Sequence, residues 1–253
     1  MATENAANAA EVTETEASDF GFLDDYAGQG LDAITANEMA VSYLGLVQPD
    51  SSVQDADNAA GTWRNSATGR NYGNLVRVIV LGFHTIWSER EDNPPFRTVG
   101  RYEPNSIKVE LKQPAKGKTG YPKMINPESG NEVQELYVYA VMLPDYPEDG
   151  ILYLNPTVGS MRTCRAWNSQ LHTQRLMNGK PAPIFGYQWN LAAGLVPNPQ
   201  QPSKQIAKFL KAQRDSLVAK DLFFETVKPQ LETAPQSLLQ IANTMPADTS
   251  DVE

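Results

Sequence analysis

The 253-residue chain is 41% hydrophobic, which is enough for one sizeable core, and it has no apolar run of the about 18 residues that a membrane span requires. Its single cysteine, Cys164, excludes an internal disulfide framework and a multi-cysteine zinc site, and it suits a reducing compartment. The N-terminus lacks the basic and apolar regions of a secretory signal, so we expect an intracellular protein that does not bind membranes.

The net charge of −9 is divided unevenly along the chain. Residues 1–60 contain twelve acidic and no basic residues, residues 61–220 twenty basic and twelve acidic, and residues 221–253 one basic and six acidic. A mildly basic centre is thus bracketed by two acidic ends. Such ends are either solvated tails, or segments that compete for a phosphate-binding centre and recruit partner proteins.

The first part of the chain predicts a disordered leader followed by short elements. Residues 1–18 have too few large apolar groups to fold and form an acidic leader. In 19–48, Thr35 is a possible helix N-cap with Glu38 at the capping-box position. GTWRNSATGRNYG (61–73) predicts a hairpin, because a Ser-Ala-Thr-Gly turn separates two short strand-like stretches.

The stretch NLVRVIVLGFHTIW (74–87) predicts a long strand whose two faces are both apolar in the centre. Alternation places Val76, Val78, Val80 and His84 on one face, and Arg77, Ile79, Leu81, Phe83 and Trp87 on the other. An arginine inside such a strand either binds an anionic ligand or lies on a solvated face.

Further elements follow from periodicity. Residues 97–130 are rich in Lys, Gly and Pro and predict a long irregular connection, a kind of segment that often carries function. The other predicted elements are strands at 132–145, 150–156 and 182–197, a helix at 157–176, an amphipathic helix at 203–227 with Ser203 as its cap, and a last helical piece at 234–244.

This order predicts a mainly β protein with flanking helices, of the α+β class, with an OB-like Greek-key β-barrel core. A β-sandwich fits the same order. We expect one OB-like domain with a C-terminal helix at 19–227, and a helical piece with an acidic disordered tail at 228–253.

Sequence features of an enzyme are few. The two histidines, His84 and His172, have no metal-binding spacing, and no glycine-rich phosphate-binding motif occurs. Cys164 lies on the apolar face of its predicted helix and is expected in the core. VELK (109–112) has the Glu-x-Lys form of metal-dependent nucleases, but the acidic partner such a site needs would be Asp92 or Asp50, both in predicted loops. We expect no catalytic residues, no cofactor and no metal, with a nuclease as the least favoured alternative.

The central charge pattern favours nucleic-acid binding. Single-stranded nucleic acid requires a cationic groove for phosphates and flat side chains that stack on bases, and in this region basic residues alternate with aromatic ones. The predicted nucleic-acid-binding residues are Arg64, Arg70, Tyr72, Arg77, Trp87, Arg90, Arg97, Arg101, Tyr102, Lys112, Lys116, Lys118, Tyr121 and Lys123. KQPAKGKTGYPK (112–123) predicts a flexible cationic arm. The alternative is that the rings are core and the charges keep a sheet soluble.

Three stretches, AITANEMAVSYLGLVQPDSS, GTWRNSATGRNYG and LVRVIVLGFHTIWSERED, together resemble a loose group of bacteriophage single-stranded DNA-binding proteins with an OB-like fold. The resemblance covers about residues 34–92 and the later strand–helix–strand order. It implies a role in phage DNA replication or recombination, in the cytoplasm of the bacterial host. The Lys-rich insertion and the acidic leader depart from the group, and the acidic tail ends in Asp251-Val252-Glu253 without the terminal phenylalanine of several such tails.

The sequence thus predicts sequence-independent binding of single-stranded DNA. Replication or recombination proteins are expected to dock on the acidic tail, and the protein is a possible homo-oligomer. The alternative is a virion structural or assembly protein whose β-domain packs against its own copies.

Overall fold

The computed structural model describes residues 41–91, 97–114, 122–156, 158–199 and 201–233. Several predictions lie outside the described residues: the acidic leader, the Thr35 cap, Lys116, Lys118, Tyr121 and the helical piece at 234–244. The described residues belong to one unit of the chain, which starts at Val41.

The described chain is mainly β. Its strands are β1 (Leu44–Leu46), β2 (Trp63–Asn65), β3 (Asn71–Gly73), β4 (Leu75–Arg90), β5 (Thr98–Tyr102), β6 (Glu110–Lys112), β7 (Lys123–Ile125), β8 (Glu132–Met142), β9 (Ile151–Leu154), β10 (Tyr187–Pro197) and β11 (Gln205–Leu217). Helix α1 (Met161–Thr173) lies between β9 and β10. A C-terminal helical segment comprises Lys220–Leu222, a π-helical turn at Phe223–Val227, and Lys228–Thr233.

The large sheet is built on a long antiparallel ribbon of β4 and β8, in which Ile79 pairs with Met142 at one end and Arg90 with Glu132 at the other. Near Ile79, β10 and then β11 extend the sheet on the β4 side, and β9 pairs with β8. Near Arg90, β5 pairs with β4, while β7 and then β6 extend the β8 side. A second sheet contains β1, β2 and β3.

One face of the large sheet packs against α1 and the small sheet. Trp63, Trp167, Trp189 and Phe209 form the centre of this core, and each is at most 1% exposed. Trp63 Nε1 donates a hydrogen bond to the Leu191 carbonyl at 3.1 Å, which joins the small sheet to β10. Because rings of this size bury much apolar area, this face supplies most of the hydrophobic stabilisation.

The opposite face is covered by the C-terminal helical segment. Ile79, Ile86 and Met142 of the ribbon pack there with Val227, which is fully buried. Phe223 stacks on Phe185 with ring centroids 5.6 Å apart. The large sheet is therefore apolar on both faces, which explains why β4 and β8 lack a simple apolar–polar alternation.

A bulge in β4 changes which face its later residues occupy. The register with β8 shifts between Val80 and Gly82, so Leu81 is the extra residue. Phe83 therefore packs with Tyr137 and Tyr139 on the α1 side. Our assignment of Phe83 to the face of Ile79 was wrong, because strict alternation assumes that the strand has no bulge.

Most predicted elements are confirmed: the hairpin at 61–73, the strands at 74–87, 132–145, 150–156 and 182–197, and the helix at 157–176. Two predictions were wrong. The amphipathic helix at 203–227 is mostly strand β11, and the irregular segment 97–130 contains β5, β6 and β7. Among the described strands the sheet order does not close on itself, so the OB-like barrel stays a prediction.

Candidate nucleic-acid interface

The predicted binding residues lie at two ends of the β4–β8 ribbon. Arg77 is opposite Asn190 of β10, whereas Arg90 is opposite Glu132 of β8. At about 3.3 Å per strand residue, the thirteen steps between these two arginines span roughly 40 Å. The structure therefore does not bring the predicted cations together around one short groove.

Several of these cations already contact carboxylates. Arg77 holds Asp145 with two hydrogen bonds, Nη2–Oδ1 at 2.8 Å and Nε–Oδ2 at 3.1 Å, which explains an arginine inside an apolar strand. Arg70 Nη1 lies 2.5 Å from Glu148 Oε1 and 3.0 Å from Asp149 Oδ2. Lys123 pairs with Glu132. Phosphate would have to displace these partners, which reduces the gain from binding.

Two of the four rings in the predicted set, Tyr72 and Trp87, are buried. Trp87 is 9% and Tyr72 8% exposed, and the other three tryptophans of the chain are fully buried. The Tyr72 hydroxyl donates to Asp149 Oδ2 at 2.6 Å, and burial followed by this hydrogen bond raises the pKa of Tyr72 well above its ordinary value. Neither Trp87 nor Tyr72 therefore presents a free face on which a base could stack in this structure.

The other predicted residues have varied surroundings. The Arg64 guanidinium lies against the Gly69 turn, and Tyr102 donates to Glu89. Arg97 and Lys112 are exposed, while Arg90 and Arg101 are partly buried. Whether any of these residues binds nucleic acid stays a prediction.

The positive charge of the chain lies elsewhere. Residues 61–150 contain eleven basic and eleven acidic residues and are neutral. Residues 151–220 contain nine basic residues and a single acidic residue, Asp215, so they supply the whole excess of +8. A single charge count over the 160 residues 61–220 hides this division, whereas a count over a shorter window reveals it.

The nine basic residues of 151–220 lie on α1, on β11 and on the segments beside them. They are Arg162, Arg165, Arg175, Lys180, Lys204, Lys208, Lys211, Arg214 and Lys220. Among the described residues none of the nine forms an ion pair with a carboxylate. We call this set the α1–β11 basic surface.

Direct contacts hold α1 beside the edge strand β11. The Phe209 N–H donates to Ser160 Oγ at 3.2 Å, and Thr163 Oγ1 donates to the Leu210 carbonyl at 3.4 Å. The helix buries Cys164, Trp167 and Leu171 against the sheet, which leaves its outer face to solvent. On β11, Arg214 pairs with the buried Trp189 and so lies on the α1 side of the sheet, whereas Lys211 pairs with Ala192, a register position on the other face.

Neutral groups position several of these cations. The Arg214 guanidinium lies 4.9 Å from the centroid of the Tyr187 ring. Arg175 Nη1 donates to the Gln174 carbonyl at 2.9 Å and to the His172 carbonyl at 3.4 Å, so it caps the C-terminus of α1. Such contacts orient a guanidinium without neutralising it, which leaves its charge available to an anion.

A cavity of about 450 Å³ opens between the C-terminal turn of α1 and β11. Its lining includes Gln170, Gln174, Trp189, Lys211, Gln213 and Arg214. The cavity is thus polar, lies within the basic surface, and has one wall formed by the buried core.

A second polar site was also missed by sequence reasoning. Glu89 is 2% exposed, and its carboxylate accepts hydrogen bonds from Tyr102 at 3.1 Å, Asn126 at 2.9 Å, Asn131 at 2.8 Å and the Ser129 hydroxyl. Burial raises the pKa of this carboxyl, but the hydrogen bonds outweigh burial and hold the pKa below its ordinary value. All four donors are satisfied within the protein, so the arrangement stabilises the 126–131 turn.

The groups considered for catalysis have structural partners. Cys164 is buried, which raises its thiol pKa to about 12 and keeps it protonated, as its predicted core position requires. His84 Nε2 lies 2.8 Å from Glu103 Oε2. Glu110 of the VELK motif is exposed on β6, 3.6 Å from Lys108. Within the described ranges, no three His, Cys, Asp or Glu side chains are grouped as metal ligands would be.

Comparison with known protein families shows to which family the chain belongs. A sequence model of the family described as Pam3 phage gp34-like protein matches residues 8–226. The chain belongs to this family. The bacteriophage part of the sequence resemblance is thereby supported, while DNA binding by the gp34-like chain stays a prediction. No curated protein and no solved structure matches the chain. None of its described helices is long and apolar enough to cross a membrane.

Proposed function

We propose that the protein binds single-stranded DNA without sequence preference through the α1–β11 basic surface. The observation that supports this proposal is the charge of residues 151–220, nine basic against one acidic, with no ion pair to a carboxylate among the described residues. Cations without internal partners attract a polyanion at the smallest desolvation cost, because no existing contact has to be broken.

Phosphate contacts supply most of the affinity in this proposal. The tryptophans are buried, so stacking on exposed indoles contributes little. Binding dominated by phosphates is independent of sequence and falls steeply with salt, since each contact releases condensed counterions. We also propose an OB-like core, because α1 lies between two strands, β9 and β10, as the single helix of an OB-fold does.

The acidic ends of the chain fit the same proposal. Residues 1–60 carry twelve acidic and no basic side chains, and residues 221–253 carry six acidic and one basic. Segments of this charge compete with DNA for a basic surface and offer replication or recombination proteins a docking site. Release of the acidic tail and occupation of the basic surface by DNA would then be coupled, because DNA binding displaces the tail.

Titration of a fluorescein-labelled oligo-dT with the full chain, followed by anisotropy, tests this function. Between about 50 and 200 mM salt, a plot of log K against log salt should be linear, with a slope of about −0.7 for each phosphate contact. Contacts from four to nine cations give a slope of about −3 to −6. Affinity that is unchanged across this salt range, or no binding at 50 mM, would rule the proposal out.

A virion or assembly role is the second candidate. It is favoured by β6, an edge strand on which Leu111 is 67% exposed. An unpaired edge with an exposed apolar side chain can pair with another copy. Sedimentation of the free protein separates the candidates: a concentration-dependent oligomer that Leu111→Lys dissolves supports assembly, whereas a monomer at all concentrations rules out assembly through this edge.

A further inference from the structure

A tight turn after α1 presents the most exposed large apolar side chain among the described residues. Met177 is 95% exposed, and the next such side chain is 67% exposed. The turn is a three-residue hairpin loop at 177–179: the Gly179 N–H donates to the Leu176 carbonyl at 2.8 Å, and the Leu176 N–H donates to the Lys180 carbonyl at 2.9 Å. Gly179 has a φ of 78°, the left-handed conformation that the last position of such a loop requires.

Further hydrogen bonds attach the base of this turn to the core. The Tyr187 hydroxyl donates to the Arg175 carbonyl at 2.6 Å, and the Tyr187 ring belongs to the core between α1 and the sheet. The Ala182 N–H donates to the Gln174 carbonyl at 3.1 Å, and Gln174 Nε2 donates to the Pro183 carbonyl at 2.8 Å. The backbone that carries the exposed methionine is therefore held in a fixed position outside the core.

Three cations lie near the base of the turn. Arg175 forms an antiparallel bridge with Pro181, the residue that follows Lys180, so both cations flank the loop. The Arg214 guanidinium lies 4.9 Å from the centroid of the Tyr187 ring, whose hydroxyl binds the turn. None of the three cations forms an ion pair with a carboxylate among the residues the structure describes. A fixed apolar side chain thus stands among cations whose charge is available to an anion.

This combination matches a single-stranded nucleic acid, in which flat rings are joined by phosphates. A methionine thioether is polarizable and packs favourably on aromatic rings, and proteins insert apolar side chains of this kind between bases. A stable protein interface by contrast needs a contiguous apolar patch, whereas the residues that follow Met177 in the turn are Asn178, Gly179 and Lys180. The surroundings of Met177 therefore favour a nucleic acid over a protein partner.

We infer that Met177 packs on a base of the bound strand while Arg175, Lys180 and Arg214 bind the neighbouring phosphates. The inference rests on the proposed function, and it adds a base contact to an interface made otherwise of phosphate contacts. Because a thioether packs on any base ring and forms no directed hydrogen bond with it, this contact holds the strand without selecting a sequence.

Methyl NMR of the full chain tests this contact, with ¹³C at the ε-methyl groups of its seven methionines. The Met177 resonance is assigned through Met177→Leu, an exchange at an exposed position that opens no cavity. Saturation with oligo-dT should move this resonance upfield, because a methyl group above a base ring experiences its ring current. An abasic strand of the same length, which has the phosphates without the bases, should not produce this shift.

Affinity measurements on variants separate the base contact from the phosphate contacts. Met177→Ala should weaken oligo-dT binding about two- to tenfold and leave the salt slope unchanged. Lys180→Gln should instead make the slope shallower by about 0.7, because it removes one phosphate contact. Leu111→Ala is the matched control, since it truncates an exposed apolar side chain on β6, and it should leave the affinity unchanged.

The outcomes distinguish failure of this contact from failure of the proposed function. Oligo-dT binding with an unmoved Met177 resonance, or an equal shift from the abasic strand, overturns the base contact and leaves the function standing. A shift that grows with protein concentration without DNA assigns the turn to self-association and also overturns the contact. Wild-type protein that does not bind oligo-dT at about 50 mM salt overturns the function and the contact together.

Discussion

At the scale of single residues, Glu89 gives the most specific prediction. Its buried carboxylate accepts four hydrogen bonds, and Glu89→Gln would replace one acceptor oxygen with an amide that faces donors. Since each buried donor left unpaired is costly, we expect a loss of about 2–3 kcal/mol in the free energy of unfolding in urea. Glu91→Gln, at an exposed neighbouring position, is the control and should change it by less than about 0.5 kcal/mol. Equal effects would show that the carboxylate has no special role.

The stability conferred by Glu89 should depend on pH. Hydrogen bonds outweigh burial and lower the folded-state pKa of Glu89, so its contribution is present above the ordinary value of 4.5 and is lost as pH falls through the folded pKa. The difference in unfolding free energy between wild type and Glu89→Gln should therefore shrink below pH 4.5. Urea titrations at several pH values measure it, and a difference that widens toward acid pH contradicts the assigned hydrogen bonds.

The contacts and exposure of individual side chains were predicted from the sequence less well than the strands and helices. The sequence identifies Arg77 and Trp87 as unusual members of a strand, but the Asp145 carboxylate that explains Arg77 is 68 residues away in the chain. Trp87 pairs with Tyr102 across β5, a strand that composition had assigned to an irregular segment. The exposure of a side chain depends on such long-range pairings, and these pairings cannot be predicted from local periodicity.

At the scale of elements, β11 shows how a bulge imitates a helix. Its register with β10 shifts between Ala192 and Ala193, which leaves Leu210 as the extra residue. Inward positions are therefore Ala207, Phe209 and Ala212, with spacings of two and three. Ile206, Phe209 and Leu210 by contrast have helical spacing, and that pattern led to the wrong prediction. Strands β4 and β8 were predicted correctly because they are long runs rich in β-branched and aromatic residues, and α1 because its buried residues keep a helical spacing.

The same bulge yields a stability prediction for two adjacent residues. Phe209 is 1% exposed and packs edge-on against Trp63 and Trp167 at centroid distances of 5.9 and 5.7 Å. We expect Phe209→Ala to lower the unfolding free energy by about 3–5 kcal/mol, because it opens a cavity among rings. Leu210→Ala, 45% exposed, should cost less than about 1 kcal/mol. Urea unfolding measures both, and a helix at 203–227, with both residues on its apolar face, would predict similar losses.

At the scale of the whole molecule, the chain separates a neutral part from a basic part. Ion pairs such as Arg70–Glu148 and Arg77–Asp145 lie in residues 61–150, where basic and acidic residues are equal in number. The nine basic residues of 151–220, which form no ion pair with a carboxylate among the described residues, lie on α1, on β11 and on the segments beside them. The sequence revealed a basic centre between acidic ends, but only the pairing of strands shows which charges are already neutralised.

The central claim, that DNA binds the α1–β11 basic surface, is tested most directly by two variants of equal charge. The first replaces Lys204, Lys208, Lys211 and Arg214 by glutamine; the second replaces Arg77, Arg97, Lys112 and Lys123 by glutamine. Both lose four positive charges, so a general charge effect is the same in each. Urea unfolding of both variants confirms that they are folded before binding is compared.

Oligo-dT affinity of the two variants, measured by anisotropy at about 100 mM salt, decides the location of the interface. Four phosphate contacts at this salt contribute on the order of 100-fold, so the first variant should bind about 100-fold more weakly than wild type and the second within about threefold. Unchanged affinity in the first variant with a large loss in the second would place the interface on the neutral part and contradict the account.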